Sequence, residues 1–279
     1  MYPKKPYFVR IDVTSKCNFN CPGCYRPETQ PKDLSTEKIF QIIDTIKNFG
    51  VKSILFSGGE PFCRKDLKDI IKYADKQGIK CNIVTNGFQF DDYKFLKKYI
   101  KILSVSLDGH TEEINSKIRP KNTFNKVINN LKKLKENKVK FNIITTLSKQ
   151  NIDYLEEIIK FGQKIGAIDH TFVRFLPLGQ GTKFNDWYID DLEWQKVLKR
   201  LQQDDRLLFD EKYFTHDCGS GKEYLYILSN GNISTCTKGN HPIGNIFEND
   251  IKSLWKNSPL LKTLRNTKHY DCLQCDFGN

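Results

Sequence analysis

The sequence predicts an α/β protein in which a parallel sheet is followed by a smaller cysteine-rich extension. Short apolar runs alternate with longer helical periods up to about residue 178, and four cysteines follow residue 217. An Asn-Gly pair at residues 230–231 separates two further apolar runs. Six strand–helix alternations are typical of a parallel sheet with crossover helices. Asn-Gly between apolar runs indicates a β-hairpin.

The predicted strands are rich in Ile, Val, Phe and Leu, as expected for strands that are buried on both faces. They cover Tyr7–Val13, Ser53–Ser57, Cys81–Thr85, Leu103–Leu107, Phe141–Leu147 and Thr171–Leu176. The amphipathic helices between them cover Ser35–Asn48, Leu67–Gln77, Tyr93–Tyr99, Phe124–Glu136 and Tyr154–Ile165. Ser35 is a typical helix N-cap, and Gly50 follows the end of the first helix as a C-cap signal.

From about Trp187 the alternation stops. A helix is predicted over Asp191–Gln203, and the extension then forms a hairpin from residues 224–228 and 232–236. We therefore place a domain boundary near residue 185, which divides the chain into residues 1–185 and 186–279.

Composition narrows the compartment and the partners. The chain has 279 residues, nine cysteines and a net charge of +12. It has no apolar run of the roughly 20 residues that a membrane helix needs and no signal-peptide pattern at its start. We therefore expect a cytoplasmic protein without a membrane partner, whose cysteines bind metal rather than form disulfides. Its lysines are spread over amphipathic helices, which predicts a solvated basic surface rather than a nucleic-acid site.

Cys17, Cys21 and Cys24 follow the first predicted strand with the spacing C-x3-C-x2-C. Four cysteine thiolates normally hold a cubane iron–sulfur cluster. A set of three predicts a cluster with one open iron, which can bind a ligand and take part in chemistry. The alternative is structural zinc, but zinc needs a fourth ligand and the nearest histidine is His110.

The triplet followed by the aromatic Tyr25 resembles the signature of the radical S-adenosylmethionine (SAM) superfamily. The resemblance implies a partial (β/α)6 TIM-like barrel over residues 1–185. It also implies a 4Fe–4S cluster whose open iron binds the amino and carboxylate groups of SAM. Reductive cleavage of SAM in this family yields a 5′-deoxyadenosyl radical that abstracts a substrate hydrogen.

The residues expected in the SAM pocket lie where predicted strands end, as is usual for barrels. They are Tyr25, Gly58, Gly59, Glu60, Pro61, Thr85, Ser106, Asp108, Arg119 and Arg174. Residues 58–61 resemble the family's GGEP motif, in which paired glycines let the backbone approach a ligand closely. Glu60 adds charge there or fixes the loop.

The other pocket residues have less specific roles. Ser106 or Arg119 suits the SAM carboxylate, and a guanidinium can bind a carboxylate through two hydrogen bonds. Thr85 and Asp108 are expected to reach the ribose or the substrate. The family places an aromatic such as Tyr25 beside the adenine. Strand phase leaves open whether Arg174 faces the barrel mouth or the outside.

A second cysteine set consists of Cys218, Cys236, Cys272 and Cys275. The spacing Cys218-x12-Gly231-x4-Cys236 resembles the opening of the SPASM motif of many radical SAM enzymes. The later cysteines of that motif are absent, which resembles the shorter Twitch variant and implies one auxiliary 4Fe–4S cluster. Zinc held by four thiolates and unrelated buried thiols are the alternatives.

Two cysteines remain. Cys81 lies in a predicted strand and is expected in the core. Cys63 follows the GGEP loop and could return a hydrogen atom to a substrate radical, as in radical epimerases. The alternative for Cys63 is an inert structural thiol.

The resemblance implies an oxidoreductase or maturase that acts on a peptide or small polyol and passes an electron to the auxiliary cluster. A reductant such as flavodoxin or ferredoxin would supply the electron for SAM cleavage. The alternatives are a radical epimerase, which is an isomerase, and a non-catalytic iron–sulfur or zinc protein.

Overall fold

The computed structural model describes residues 2–26, 32–209, 219–236 and 242–266. The strands are β1 (Phe8–Thr14), β2 (Ser53–Gly58), β3 (Lys80–Thr85), β4 (Ile100–Ser106), β5 (Phe141–Leu147), β6 (His170–Arg174), β7 (Leu207–Phe209), β8 (Tyr224–Ile227), β9 (Asn232–Ser234) and β10 (Pro242–Asn245). The helices are α1 (Thr36–Asn48), α2 (Leu67–Lys76), α3 (Tyr93–Tyr99), α4 (Glu112–Asn115), α5 (Phe124–Glu136), α6 (Leu155–Ile165), α7 (Asp191–Leu201), α8 (Ile251–Asn257) and α9 (Pro259–Asn266).

These strands form one sheet in the order β10-β9-β8-β1-β2-β3-β4-β5-β6-β7. Neighbouring strands from β1 to β7 pair in parallel, and helices connect them. The predicted α/β class and the partial barrel are confirmed. The predicted hairpin is also present, because β8 and β9 pair antiparallel across the turn at residues 230–231.

The alternation continues one unit further than the sequence predicted. Helix α7 crosses back to β7, which pairs in parallel with β6 through Thr171 and Leu208. β7 has three residues, too few for a periodic signal to mark it in the sequence. The domain boundary near residue 185 stays a prediction, and both α7 and β7 lie beyond it.

The two faces of the sheet differ in polarity. Val9 and Ile11 of β1 are fully buried in the main apolar core, which also contains the buried residues of α1 and α2. On the opposite face the register aligns Arg10 with Leu55, Asp12 with Ser57, Leu55 with Asn82, and Ser104 with Asn142. Asp12, Ser57, Ser104 and Asn142 are nevertheless buried, so the inner face differs from the outer face in polarity rather than in burial. That face offers polar groups to a barrel interior.

Strand β8 of the extension pairs in parallel with β1, on the edge opposite β2. Leu225 and Ile227 of β8 are fully buried in the same core as β1. The rings of Phe8 and Tyr224 stack with centroids 5.3 Å apart. The extension therefore completes the apolar environment of the first barrel strand. Within the described ranges no helix has the length and apolar character needed to cross a membrane.

Candidate functional site

The cysteine triplet lies on the loop that follows β1. Cys17 is exposed, while Cys21 and Cys24 are half-buried, and all three are free thiols. Backbone N–H groups shape the loop: Cys24 donates to the Cys21 carbonyl at 3.2 Å, and Phe19 donates to Cys17 Sγ at 3.4 Å. Among the described residues no three His, Cys, Asp or Glu side chains converge as ligands of a metal ion.

Neighbouring loops hold the cysteine loop at three places. The Gly59 N–H donates to the Thr14 carbonyl at 2.9 Å, and the Glu60 N–H donates to the Lys16 carbonyl at 2.8 Å. The Asn86 side chain, after β3, donates to the Asn18 side-chain oxygen at 2.7 Å. After β6, the Gly181 N–H donates to the Cys24 carbonyl at 3.2 Å. The carboxyl ends of β1, β2, β3 and β6 therefore all position this loop.

Gly58 and Gly59 are required by close backbone contact. Gly58 has φ +133°, and a Cβ there would lie 2.2 Å from the Thr14 carbonyl oxygen. A Cβ on Gly59 would lie 2.1 Å from the Lys16 carbonyl oxygen. The glycine pair thus lets the loop after β2 pack directly against the cysteine loop. The sequence predicts that these glycines let the backbone approach a ligand. The structure shows that they also let two loops of the chain approach each other.

Glu60 is a fully buried carboxylate that ties two loops together. It accepts hydrogen bonds from the Thr85 hydroxyl at 2.8 Å, the Asn86 N–H at 2.7 Å and the Phe62 N–H at 3.2 Å. Burial raises the pKa of Glu60 to about 7, and these hydrogen bonds oppose that shift. Thr85, expected at the ribose or the substrate, donates its hydroxyl hydrogen to Glu60. Pro61 is buried and starts the 3-10 turn Pro61–Cys63.

Arg119 and Asp108 form a buried ion pair beside the triplet. Arg119 Nε donates to Asp108 Oδ2, and the Thr146 N–H donates to Asp108 Oδ1 at 2.7 Å. Arg119 Nη1 lies 3.9 Å from Cys21 Sγ. Burial alone would lower the pKa of Arg119, but the charges of Asp108 and Cys21 raise it. A fixed guanidinium therefore lies next to the expected cluster.

The remaining predicted residues fall in different places. The Tyr25 hydroxyl accepts a hydrogen bond from Arg10 Nη2 at 2.9 Å. Ser106 ends β4, half-buried and in register with Ile144. Cys63 is half-buried, with Sγ 3.9 Å from the Gln89 side-chain oxygen. Burial raises the pKa of Cys63, and the charge of Glu60 adds to that shift.

Arg174 is not brought to this group. It aligns with Leu147, on the face of β6 that packs against α7. Its Nε donates to the Ile189 carbonyl at 2.9 Å, and its Nη2 donates to Asp191 Oδ1 at 2.7 Å. The sequence left the direction of this side chain open. In the structure Arg174 faces outward and lies outside the candidate site.

The second cysteine set is described only in part. Cys236 follows β9, is half-buried, and donates its N–H to the Ser234 hydroxyl at 3.4 Å. Cys218, Cys272 and Cys275 lie outside the described residues. The auxiliary ligand set therefore stays a prediction.

Sequence reasoning missed a charged group beneath the cysteine loop. Asp12 on β1 is buried, and Arg26 Nη2 lies 3.8 Å from its Oδ2, which also accepts the Tyr226 hydroxyl. Burial raises the pKa of Asp12, and the charges of Arg10 and Arg26 oppose that shift. The signal was present, since Arg10 and Asp12 interrupt an otherwise apolar strand in the sequence.

Known proteins match both halves of the chain. The model of the radical SAM superfamily matches residues 11–162, and that of the SPASM iron–sulfur cluster-binding domain matches residues 218–276. The AdoMet-dependent heme synthase of Oleidesulfovibrio alaskensis is 24% identical over 311 residues, covering 97% of this chain and 80% of that protein. The sporulation killing factor maturation protein SkfB of Bacillus subtilis is 25% identical over 283 residues, covering 96% and 69%.

The fold has solved counterparts. SuiB of Streptococcus suis, bound to precursor peptide SuiA, superposes with a TM-score of 0.79 at 20% identity, covering 98% of this chain and 70% of that one. The two domain matches imply a SAM-binding 4Fe–4S cluster and an auxiliary iron–sulfur cluster. With more than half of its length matched by that superfamily's model, the chain belongs to the radical SAM superfamily and carries a C-terminal SPASM-type iron–sulfur domain.

Proposed function

We propose that this radical SAM enzyme oxidises a peptide, with the auxiliary cluster as acceptor of the second electron. One observation carries the proposal: the cysteine triplet, the Gly58–Glu60 loop and the Arg119–Asp108 pair meet at the carboxyl ends of β1, β2 and β4. Similarity to the maturation protein SkfB and to peptide-bound SuiB supports a peptide substrate.

Each group at the site has a role that its contacts support. Cys17, Cys21 and Cys24 would hold the cluster, which with bound SAM would supply the radical that abstracts hydrogen. Arg119 directs a fixed positive charge toward Cys21, because Asp108 holds its Nε side, and that charge would suit the SAM carboxylate. Glu60 fixes the loop after β2 against the Asn86 backbone.

The electron balance explains the need for two clusters. One electron from an external reductant, of the flavodoxin or ferredoxin type, is consumed in SAM cleavage. Hydrogen abstraction would move one hydrogen atom, a proton with an electron, from the substrate to 5′-deoxyadenosine. The oxidised product would form once the substrate radical had lost a second proton to a base and its electron to the auxiliary cluster. An epimerase would instead return a hydrogen atom, for which Cys63 stays the candidate donor.

The first experiment tests the clusters. Iron and sulfide analysis of the anaerobically reconstituted chain should give roughly eight of each, as two cubanes require. Cys17→Ala should lose about four of each and form no 5′-deoxyadenosine from SAM and dithionite. Cys81→Ala is the matched control, because Cys81 is buried in the core away from the loop. Zinc without sulfide in the wild-type protein would refute the enzymatic function.

The second experiment tests the reaction class. A candidate peptide from a neighbouring precursor gene is incubated with the reduced enzyme and SAM in heavy water. Oxidation gives a product that lacks two hydrogens. Epimerisation loses no atoms, and one hydrogen of the product is replaced by deuterium. Cys63→Ala should leave the oxidised product unchanged. Turnover of a heme precursor but of no peptide would instead favour the chemistry of the heme synthase relative.

A further inference from the structure

A buried network joins strand β8 of the extension to the cysteine loop. Its centre is Asp12, whose Oδ2 accepts the hydroxyl hydrogen of Tyr226 and faces Arg26 Nη2 at 3.8 Å. Asp12 is 1% exposed, and its Oδ1 has no hydrogen-bond partner among the described residues. One carboxylate oxygen of Asp12 therefore contacts both Tyr226 of β8 and Arg26, which follows the cysteine triplet.

Arg26 closes the cysteine loop. It lies two residues after Cys24, and its Nη1 donates to the carbonyl of Ser15, two residues before Cys17, at 3.2 Å. A Cβ on Gly59 would lie 2.8 Å from the same Nη1, so the guanidinium also packs under the glycine pair. This one side chain therefore bridges the two ends of the loop that carries the triplet.

A second arm runs from the same tyrosine to Tyr25. Arg10 lies over the Tyr226 ring, with the guanidinium carbon 5.6 Å from the ring centroid. Arg10 Nη2 donates to the Tyr25 hydroxyl at 2.9 Å and to the Ser57 hydroxyl at 2.7 Å. Tyr226 thus contacts Asp12 through its hydroxyl and Arg10 through its ring face.

We propose that Tyr226 is a positioning residue through which the C-terminal domain sets the conformation of the cysteine loop, and with it SAM binding at the cluster. A buried carboxylate that loses a hydrogen-bond donor must be satisfied by its remaining partners. Without the Tyr226 hydroxyl, Asp12 keeps only its charged neighbours Arg10 and Arg26, and we expect Arg26 to shift toward it from its place between the loop ends. The inference rests on the assignment of Cys17, Cys21 and Cys24 to the cluster and is independent of the substrate.

Tyr226→Phe tests the proposal, because it removes only the hydroxyl. Tyr224→Phe is the matched control: Tyr224 lies two residues earlier on the same face of β8 and stacks on Phe8. Both variants should keep the iron and sulfide content of the wild-type protein. In Tyr226→Phe we expect SAM to bind the reduced protein about tenfold more weakly, as loss of one buried charge-assisted hydrogen bond implies. The electron paramagnetic resonance change that SAM induces should also shift, whereas Tyr224→Phe should match the wild type in both readouts.

A double variant identifies the route. If Tyr226 acts through Asp12, then Asp12→Asn with Tyr226→Phe should bind SAM no more weakly than Asp12→Asn alone. Additive losses would overturn the proposal, as would wild-type SAM affinity and spectrum in Tyr226→Phe, or equal changes in the two tyrosine variants. If Asp12→Asn does not hold iron, the tyrosine pair still decides. The SAM-binding measurements contain no substrate, so failure to modify a peptide would refute the proposed function and leave this inference standing. A wild-type protein without iron would refute the cluster assignment.

Discussion

At the scale of single residues, Glu60 and Arg119 show how burial gives two ordinary side chains a place at the site. Glu60 is fully buried yet accepts three hydrogen bonds from two loops. Arg119 is held by the fully buried Asp108, with its free edge beside Cys21. Both side chains depend on loops that meet only in the folded barrel.

The raised pKa of Glu60 makes stability depend on pH. The pKa shifts from 4.5 to about 7 on folding, so the folded state retains a proton that the unfolded state has lost between these values. The stability that this proton contributes is present below pH 4.5 and is lost as pH rises to about 7. We expect Glu60→Gln, which cannot ionise, to gain stability relative to the wild type over this interval. Urea unfolding at pH 5 and pH 8 measures the difference in unfolding free energy between Glu60→Gln and the wild type. The same difference at both pH values would contradict the prediction.

Arg119→Lys should impair SAM cleavage while the cluster is retained. A lysine ammonium cannot contact Asp108 and also extend a donor toward Cys21, as the planar guanidinium does. We expect the rate of 5′-deoxyadenosine formation to fall about tenfold, as for loss of one charge-assisted contact. Arg174→Lys is the control, because Arg174 faces α7 on the outside of the sheet. A loss of rate in Arg174→Lys that equals the loss in Arg119→Lys would contradict this assignment.

At the scale of elements, β5, β6 and α6 are joined by a buried neutral histidine. His170 on β6 is 2.7 Å from the Thr145 hydroxyl through Nε2, and that hydroxyl donates to the Leu107 carbonyl. Nε2 therefore carries the proton. A Cβ on Gly162 of α6 would lie 2.6 Å from His170 Nδ1, so the glycine makes room for the ring.

Burial makes His170 a source of acid sensitivity. It lowers the pKa of His170 from 6.5 to about 3, so the unfolded state takes up a proton first as pH falls. Stability should therefore be lost as pH falls from about 6.5 toward 3. We expect His170→Leu to be less stable than the wild type at pH 7.5 and to lose less stability on acidification to pH 5. Thermal unfolding at the two pH values measures this, and an unchanged acid dependence in the variant would refute it.

At the scale of the whole molecule, the extension is part of the barrel sheet rather than an appendage. Strand β8 covers the edge of β1, and Leu225 and Ile227 are fully buried in the core that β1 shares. The Tyr7 N–H also donates to the Glu223 carbonyl at 2.7 Å. The C-terminal domain thus supplies packing to the strand that leads into the cysteine loop.

A chain that ends at Phe209 should therefore fail to fold stably. Its β1 edge would expose unpaired backbone groups and apolar side chains, which promotes aggregation. We expect most of the truncated protein to be insoluble, or to unfold without a cooperative transition when soluble. Expression followed by circular dichroism during heating provides the measurement. Cooperative unfolding at the wild-type temperature would show that β8 is dispensable.

The strong periodic elements could be predicted from the sequence, because burial of their apolar faces is a local pattern. The predicted strands from β1 to β6 are all present, and the helix predicted over Asp191–Gln203 is α7. β7 was missed because its three residues carry no periodic signal. The outward direction of Arg174 was also open, since strand phase at the end of β6 depends on which face meets α7.

The sequence by itself determined the class of fold and the membership of the radical SAM superfamily, through the spacing of Cys17, Cys21 and Cys24 and the Gly58–Gly59–Glu60 loop. These are short-range patterns of residue type, and residue type is what a sequence states directly. Only the tertiary structure decided that Arg119 lies beside Cys21 and that Tyr226 shares Asp12 with Arg26. Those contacts join residues far apart in the chain, and strand pairing in three dimensions creates them.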